Sequence, residues 1–336
     1  MQVDPEFTLN PRSNPLRLAA LLITCLLALV LVCRAAAVEV HSPQEMLAAG
    51  RVDDAVRTLQ QLITQSPDDA ESYNLLCRAY FMLEEWDRGI AACEHARNLD
   101  PRNSLYELWL GRIYGEKADR TGFLSAAGMA KKVRGAFERA VELDPGNWEA
   151  RTDLAEFYLE APGIVGGGKE KARSQADALM PLNPAMAHWV AGRIAEKEKD
   201  SVSAEREYRA AVAVSHSGAR ECLDLASFLR RSNRLDEMEE MLRRLESAAL
   251  DHPPSLIDGA NMLLRTGRNI PLAVRLLRRY LAAPVEEGPA FWAHDLLGQG
   301  LEKQGDRPAA ADEYRAALAL NHSYSRAQEH LKRLER

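Results

Sequence analysis

Small residues recur along this chain at a spacing that a stack of helix pairs produces. Cys77, Gly111, Ala155, Gly192, Ala226, Ala260 and Gly298 follow one another at steps of 34, 44, 37, 34, 34 and 38 residues. A second series, Ala55, Gly89, Val133, Ala172, Ala204, Met238, Ala273 and Ala310, is matched seven residues later by Leu62, Ala96, Ala140, Leu179, Ala211, Leu245, Tyr280 and Ala317. Seven residues are two turns on one helix face. Between the two lie larger groups such as Phe137, Tyr208, Leu242, Leu277 and Tyr314. Small residues set how closely two helices approach, and large ones fill the space between them.

Helix ends obey the same period. Ser66-Pro67, Asp100-Pro101, Asp144-Pro145 and Asn183-Pro184 each close a unit, because proline forces its predecessor out of the helical region. Turn residues fall between the two helices of a unit at Gly50, Glu84-Glu85, Asn233, Gly267 and Gly305. No stretch alternates with period two, so no strand is expected. The pattern predicts an all-α, right-handed superhelical solenoid of about eight helix-turn-helix units over residues 42–322, closed by a capping helix over 323–336. Composition agrees: 46% hydrophobic and 27% charged residues exclude disordered and low-complexity classes. With 43 basic against 49 acidic residues and a net charge of −6, nothing points to nucleic acid, which wants a basic surface.

These residues resemble the tetratricopeptide repeats, whose 34-residue pattern runs aromatic, Leu-Gly, Tyr, Ala, Phe/Tyr, Ala, Pro. The clearest copy is Tyr73, Leu76-Cys77, Tyr80, Gly89, Cys93, Ala96, Pro101; others are Leu110-Gly111, Tyr114, Phe137, Ala140, Pro145 and Leu297-Gly298, Leu301, Ala310, Tyr314, Ala317. Two units depart from it, with ten residues gained between Tyr114 and Val133 and five between Tyr158 and Ala172. The second insertion, Glu160 to Ala172, resembles a glycine-rich loop of a subset of bacterial, exported tetratricopeptide proteins.

Residues 1–37 read as an export segment. Arg12 and Arg17 precede an uncharged run from Leu18 to Cys33, followed by Arg34-Ala-Ala-Ala37, the order of a basic n-region, an apolar h-region and a small-residue cleavage site. At 1.5 Å per residue the run is short against the roughly 30 Å hydrocarbon core, which favours cleavage over anchoring. Either outcome puts the array in the periplasm or cell envelope, membrane-anchored if the segment stays. Val32 before Cys33 does not match the small residue of a lipoprotein signal. Beyond residue 37 the cysteines are Cys77, Cys93 and Cys222, too few for a disulfide framework. Cys77 and Cys93 occupy inward positions of one unit, where buried free thiols and a bridge are both readings; thiols packed as small hydrophobes are the commoner one.

Motifs for catalysis are thin. Gly163-Ile-Val-Gly-Gly-Gly168-Lys169 fits the spacing of a phosphate-binding loop, but Glu170 replaces its Ser/Thr and the segment follows a helical pattern instead of a strand. A wide turn with the second helix restarting near Lys169 is the plainer reading; an anion at that helix start is a third. The eight histidines show no metal-ligand spacing and read as solvated. There is no Gly-x-Ser-x-Gly and no His-Glu-x-x-His. No enzyme, metal or cofactor is implied.

The resemblance implies where a partner binds. In this family the leading helix of each unit lines the concave face, and the residue after the small crossing position points into it: here Arg78, Arg112, Glu156, Arg193, Ser227, Asn261 and Gln299. Four residues earlier lie Asn74, Leu108, Thr152, Trp189, Leu223, Ile257 and Asp295, with Phe81 one turn beyond Arg78. Asn74 with Arg78 resembles part of the carboxylate clamp by which some members hold a peptide's C-terminal acid; the rest of that clamp is unmatched. The expected site is therefore a groove of Asn74, Arg78, Phe81, Leu108, Arg112, Glu156, Trp189 and Arg193 that holds extended peptide segments, acidic or C-terminal, of partner proteins. The function expected is that of an envelope scaffold or adaptor. Two alternatives stand beside it: the arginines pair with neighbouring acids such as Glu107 or Glu156, or the long insertions close an apolar carrier pocket lined by Trp109, Phe123, Leu124 and Met129.

Overall fold

The computed structural model describes residues 42–120, 123–249, 252–283 and 290–334, excepting the side chains of 123–126. The export segment, residues 1–37, lies outside them. Among the described residues there are seventeen α-helices, one 3-10 turn and no strand. They pair in order as α1 (Pro43–Ala48) with α2 (Val52–Gln65), α3 (Ala70–Met82) with α4 (Trp86–Leu99), α5 (Ser104–Asp119) with α6 (Phe123–Leu143) and α7 (Trp148–Glu160) with α8 (Lys169–Leu179). Then follow α9 (Pro184–Lys197) with α10 (Ser201–Val214), α11 (Ala219–Arg231) with α12 (Leu235–Arg244), α13 (Pro254–Thr266) with α14 (Ile270–Leu281) and α15 (Ala290–Gln304) with α16 (Arg307–Leu320). A last helix, α17 (Ser325–Leu334), packs on α16 and buries Ala327. These are eight helix pairs with their small-residue crossings where the period puts them, in an all-α solenoid. None of the described helices is long and apolar enough to cross a membrane.

Helix starts are fixed by side-chain caps. Asp69, Asn103, Asn147, Asn183, Asp200 and Asp306 each accept from a backbone N–H of the first turn, satisfying donors that a helix leaves unpaired. Within units the chain reverses through left-handed residues: Gly50, Glu84, Lys199, Asn233, Gly267 and Gly305 all have positive φ. At the Gly111 and Gly298 crossings there is no room for a side chain. A Cβ on Gly111 would lie 2.4 Å from the Phe137 ring, and one on Gly298 would lie 2.5 Å from Tyr314. One continuous core results, from Leu47 to Ala327.

Three local expectations meet a sharper outcome. Cys77 and Cys93 form a disulfide joining α3 to α4, with Cα atoms 5.2 Å apart; two small inward positions on antiparallel helices bring the thiols within bridging reach. Cys222 is buried and outside any disulfide. The ten-residue gain in the third unit lengthens α5 and α6. In the fourth unit Pro162 ends α7, a 3-10 turn spans Gly163–Val165, Gly166 takes φ +104°, and α8 starts at Lys169. Arg134 packs into this turn and donates to the Val165 carbonyl, while Lys169 pairs with Glu198 at 3.1 Å. The loop is thus occupied by the chain's own groups in a helix-turn-helix setting, without the strand a phosphate-binding loop needs.

Candidate functional site

The inner wall is built from the first helices of successive units. At the position after each crossing, Arg78, Arg112, Glu156, Arg193, Ser227, Asn261 and Gln299 are all half-buried, as expected of side chains lining a concavity. The position four residues earlier behaves differently. Asn74, Leu108, Thr152, Ile257 and Asp295 are buried, with Leu108 at 1% exposure and Asn74 at 2%; only Trp189 and Leu223 are half-buried. Asn74 and Leu108, expected on the groove surface, therefore belong to the core. In three units the wall continues instead through the residue two before the crossing, where Asp153 and Asp224 are half-buried and Asp258 is exposed; the equivalent Leu75, Trp109, Val190 and Leu296 are buried. At 100° per residue, three- and four-residue offsets fall on opposite sides of a reference side chain, and which of the two joins the wall differs from unit to unit.

The arginines of the middle units have partners. Arg112 on α5 donates from Nε to Asp153 and from Nη2 to Glu149 on α7, both at 2.7 Å. Burial opposes the Arg112 charge, but Asp153 and Glu149 together outweigh it and push its pKa up. Arg193 on α9 reaches back to α7 from the other side, bonding Glu156 at 3.0 Å and Glu160 at 2.6 Å. Each guanidinium also lies against an indole: Arg78 and Arg112 are 5.2 and 5.0 Å from the centre of Trp109, and Arg193 is 5.2 Å from that of Trp189. Phe81 meets Trp86 and Trp109 edge-on. Glu156, expected as a wall residue in its own right, is held by Arg193. Pairing with neighbouring acids, the alternative given above, is what Arg112 and Arg193 do.

Further along, polar groups lie in the concavity without such cross-links. The Asp224 carboxyl is pushed up to about 7 by burial, against the pull of Arg220 and a hydrogen bond from Trp189. Asp258, though exposed, is pushed up because the surrounding protein thins the water around its carboxyl and no cation offsets this. His252, ahead of α13, is held down to about 3 by burial and then by the fields of Arg220 and Arg112; its Nδ1 lies 2.8 Å from Ser255 Oγ. Other histidines are not the solvated side chains the sequence suggests: His188, His294 and His330 are half-buried against Glu207, Glu313 and Asp295 at 2.6 to 2.9 Å. Among the described residues no cluster of His, Cys, Asp and Glu is placed to hold a metal. Of the carrier pocket, Trp109 sits among Phe81, Arg78 and Arg112 while Met129 packs on the core; the side chains of Phe123 and Leu124 lie outside the described residues.

A tetratricopeptide repeat family model matches residues 46–113, the first two units and the start of the third. Residues 46–113 thus carry tetratricopeptide repeats, and the helix pairs that follow continue the same architecture. Its array superposes on the crystal structure of yeast Tom70 with a TM-score of 0.52 at 15% identity, over 84% of this chain and 58% of that one, a likeness of fold alone. A tetratricopeptide repeat protein from Parabacteroides merdae aligns over 88% of this chain and 96% of its own at 13% identity and a TM-score of 0.41. In sequence, the mouse Superkiller complex protein 3 is 25% identical over 196 residues, 48% of this chain; the chain spans only 12% of that curated relative. Tetratricopeptide repeat proteins generally serve as protein-interaction scaffolds and are typically not enzymes.

Proposed function

We propose that this tetratricopeptide repeat protein is a non-enzymatic scaffold of the cell envelope whose inner wall holds an extended peptide segment of a partner protein. One observation carries the reading: seven successive units present a half-buried, mostly polar side chain at the same position of the first helix. A regular row of adaptable hydrogen-bonding groups beside indole faces suits an extended backbone. Ser227 and Asn261 are small and polar, and Trp189 and Leu223 supply apolar contact. An acidic or C-terminal segment gains less than the sequence suggests. Its carboxylate would have to displace Asp153 or Glu149 from Arg112, or Glu156 from Arg193, exchanging one ion pair for another. Envelope location is supported by the arrangement of residues 12–37 and by the Cys77–Cys93 disulfide, a bond that persists in oxidising compartments.

Selection from a library of random linear peptides supplies ligands for the test. Selected peptides should lose about tenfold or more in affinity to Ser227→Arg and Asn261→Arg, the effect of obstructing a contact centre. They should bind unchanged to Glu240→Lys, which alters an exposed side chain of α12. Loss at Glu240→Lys with binding retained by the wall variants would place recognition elsewhere. A reporter fused after Arg336 checks location: it should be active only outside the cytosol, and activity inside overturns the envelope assignment.

A further inference from the structure

The first and last units of the array touch, although 269 residues of sequence separate one contacting pair. Asp53 on α2 accepts a hydrogen bond from the His322 backbone N–H at 3.1 Å and lies 2.7 Å from its Nδ1. Beside it, Gly50 stands so close to Ala290 that a Cβ there would lie 2.3 Å from the Ala290 Cβ. The fit requires glycine twice over, since Gly50 also has φ +71°. Ala290 is 3% exposed and Leu47 is 3% exposed. On one side of this contact a cavity is lined by Glu45 and Ala48 from the first unit and by Leu281, His294 and Leu320 from the last two. On the other, Phe81 and Trp86 of the second unit face Trp292 and Tyr324 across a cleft.

A solenoid must cover the apolar faces of its terminal units, usually with polar capping helices. The C-terminal end has α17. Among the described residues the N-terminal end has only the six-residue α1, and the start of α15 covers it. We propose that the contact between the first and last units is an intramolecular latch: closed, it makes the inner wall the lining of a lumen, and opening it admits a partner segment from the side. The gating part rests on the reading that the inner wall binds a peptide; the closure does not. The Asp53–His322 pair is exposed on the His322 side, at 84%, and exposed pairs contribute little. The close Gly50–Ala290 packing therefore holds the latch, over a small area that can reopen.

Two readouts separate closure from gating. Closure is read by double electron–electron resonance between spin labels on Glu45→Cys and Arg315→Cys in the full chain. The parent should give one narrow distance distribution, while Ala290→Glu, which wedges the contact, should lengthen and broaden it; Asp53→Ala with His322→Ala, at partly exposed positions, should do so in part with helicity retained. A broad parent distribution, or one unmoved by both variants, overturns the latch. Gating is read at a reporter thiol, Ser227→Cys, on the inner wall. A bulky fluorescein maleimide should label it about tenfold faster with Ala290→Glu, in proportion to the open fraction, while small iodoacetamide labels both at similar rates. Equal rates for the bulky reagent overturn gating even where selected peptides bind the wall.

Discussion

Units two to five and units six to eight use the same helix positions to opposite ends. In the earlier stretch the residue after the crossing is Arg78, Arg112, Glu156 and Arg193, and α7 is clasped from both sides by guanidinium–carboxylate bonds. In the later stretch it is Ser227, Asn261 and Gln299, and the carboxyls beside them, Asp224 and Asp258, are pushed up by loss of surrounding water. One half of the wall spends its polar groups on neighbouring helices and so fixes the spacing of its units. The other keeps small polar groups turned toward the concavity. Apart from the contact between the first and last units, each unit of the solenoid packs mainly on its neighbours, so stiffness and binding can be assigned to different stretches.

The largest expected effect removes the covalent part of the stiffer half. The Cys77–Cys93 bridge closes a loop of 16 residues, and such a loop restricts the unfolded chain by about 3 kcal/mol. Cys77→Ala with Cys93→Ala should lower stability by about that amount. Hydrogen exchange should show lost protection over α1–α6 and little change beyond α11. Uniform loss along the chain would mean that the two stretches unfold as one, and the contrast between them would collapse.

Next is the crossing at Gly111, whose added Cβ would meet the Phe137 ring at 2.4 Å. Gly111→Leu should cost about 1 to 3 kcal/mol through overpacking. Adding Phe137→Ala should recover part of it, because the two sites share one space. Additive losses in thermal melts would remove Gly111 from the crossing. A step smaller, Arg112→Ala leaves Asp153 and Glu149 half-buried without their cation, at about 2 kcal/mol. Asn261→Ala, at the equivalent place in the later stretch, should stay within about 0.5 kcal/mol. Equal costs would erase the distinction between a cross-linked and an open wall.

What the sequence discloses follows the same division. Helix pairs, crossings and turns are legible because they repeat, and a recurring Gly or Ala at 34 residues has one structural meaning. The wall is legible only in part. The residue after the crossing is half-buried in all seven units, whereas Asn74 and Leu108 turn out buried, because the choice between offsets of three and four residues depends on helix tilt, a tertiary quantity that changes along the array. A signal was present: Asp153, Asp224 and Asp258 each stand two residues before a crossing, and three carboxylates in register would not be tolerated in a core. The partners of Arg112 were hidden by the ten-residue gain in the third unit, which sets Asp153 41 residues away.

The smallest effect is the most specific to the later stretch, and it is a pH dependence with two limbs. Asp224 has a folded pKa near 7, above the roughly 3.9 of an unfolded aspartate. The folded state therefore takes up a proton first, so stability rises as pH falls through 7 and levels off near 4. His252 has the opposite sign. Its folded pKa near 3 lies below the roughly 6.5 of a free imidazole, so the unfolded state protonates first and stability falls as pH drops below about 6.5. Together they predict stability that rises as pH falls from 8 to about 6.5 and then stays nearly level to about 5, because below 6.5 the two slopes oppose each other, with each limb reduced to about 1 kcal/mol because water reaches both side chains. Asp224→Asn should abolish the rise and expose a fall below pH 6.5, and His252→Gln should let the rise continue toward pH 5, in melting temperatures measured from pH 5 to 8. Arg112→Gln, which changes the earlier wall, should lower the whole curve and also soften the acid limb, since its field is one of the two holding His252 neutral. A curve that Asp224→Asn leaves unchanged would mean that the later wall is wetter than its burial implies, with its carboxylates charged and ready to pair with a partner's cation.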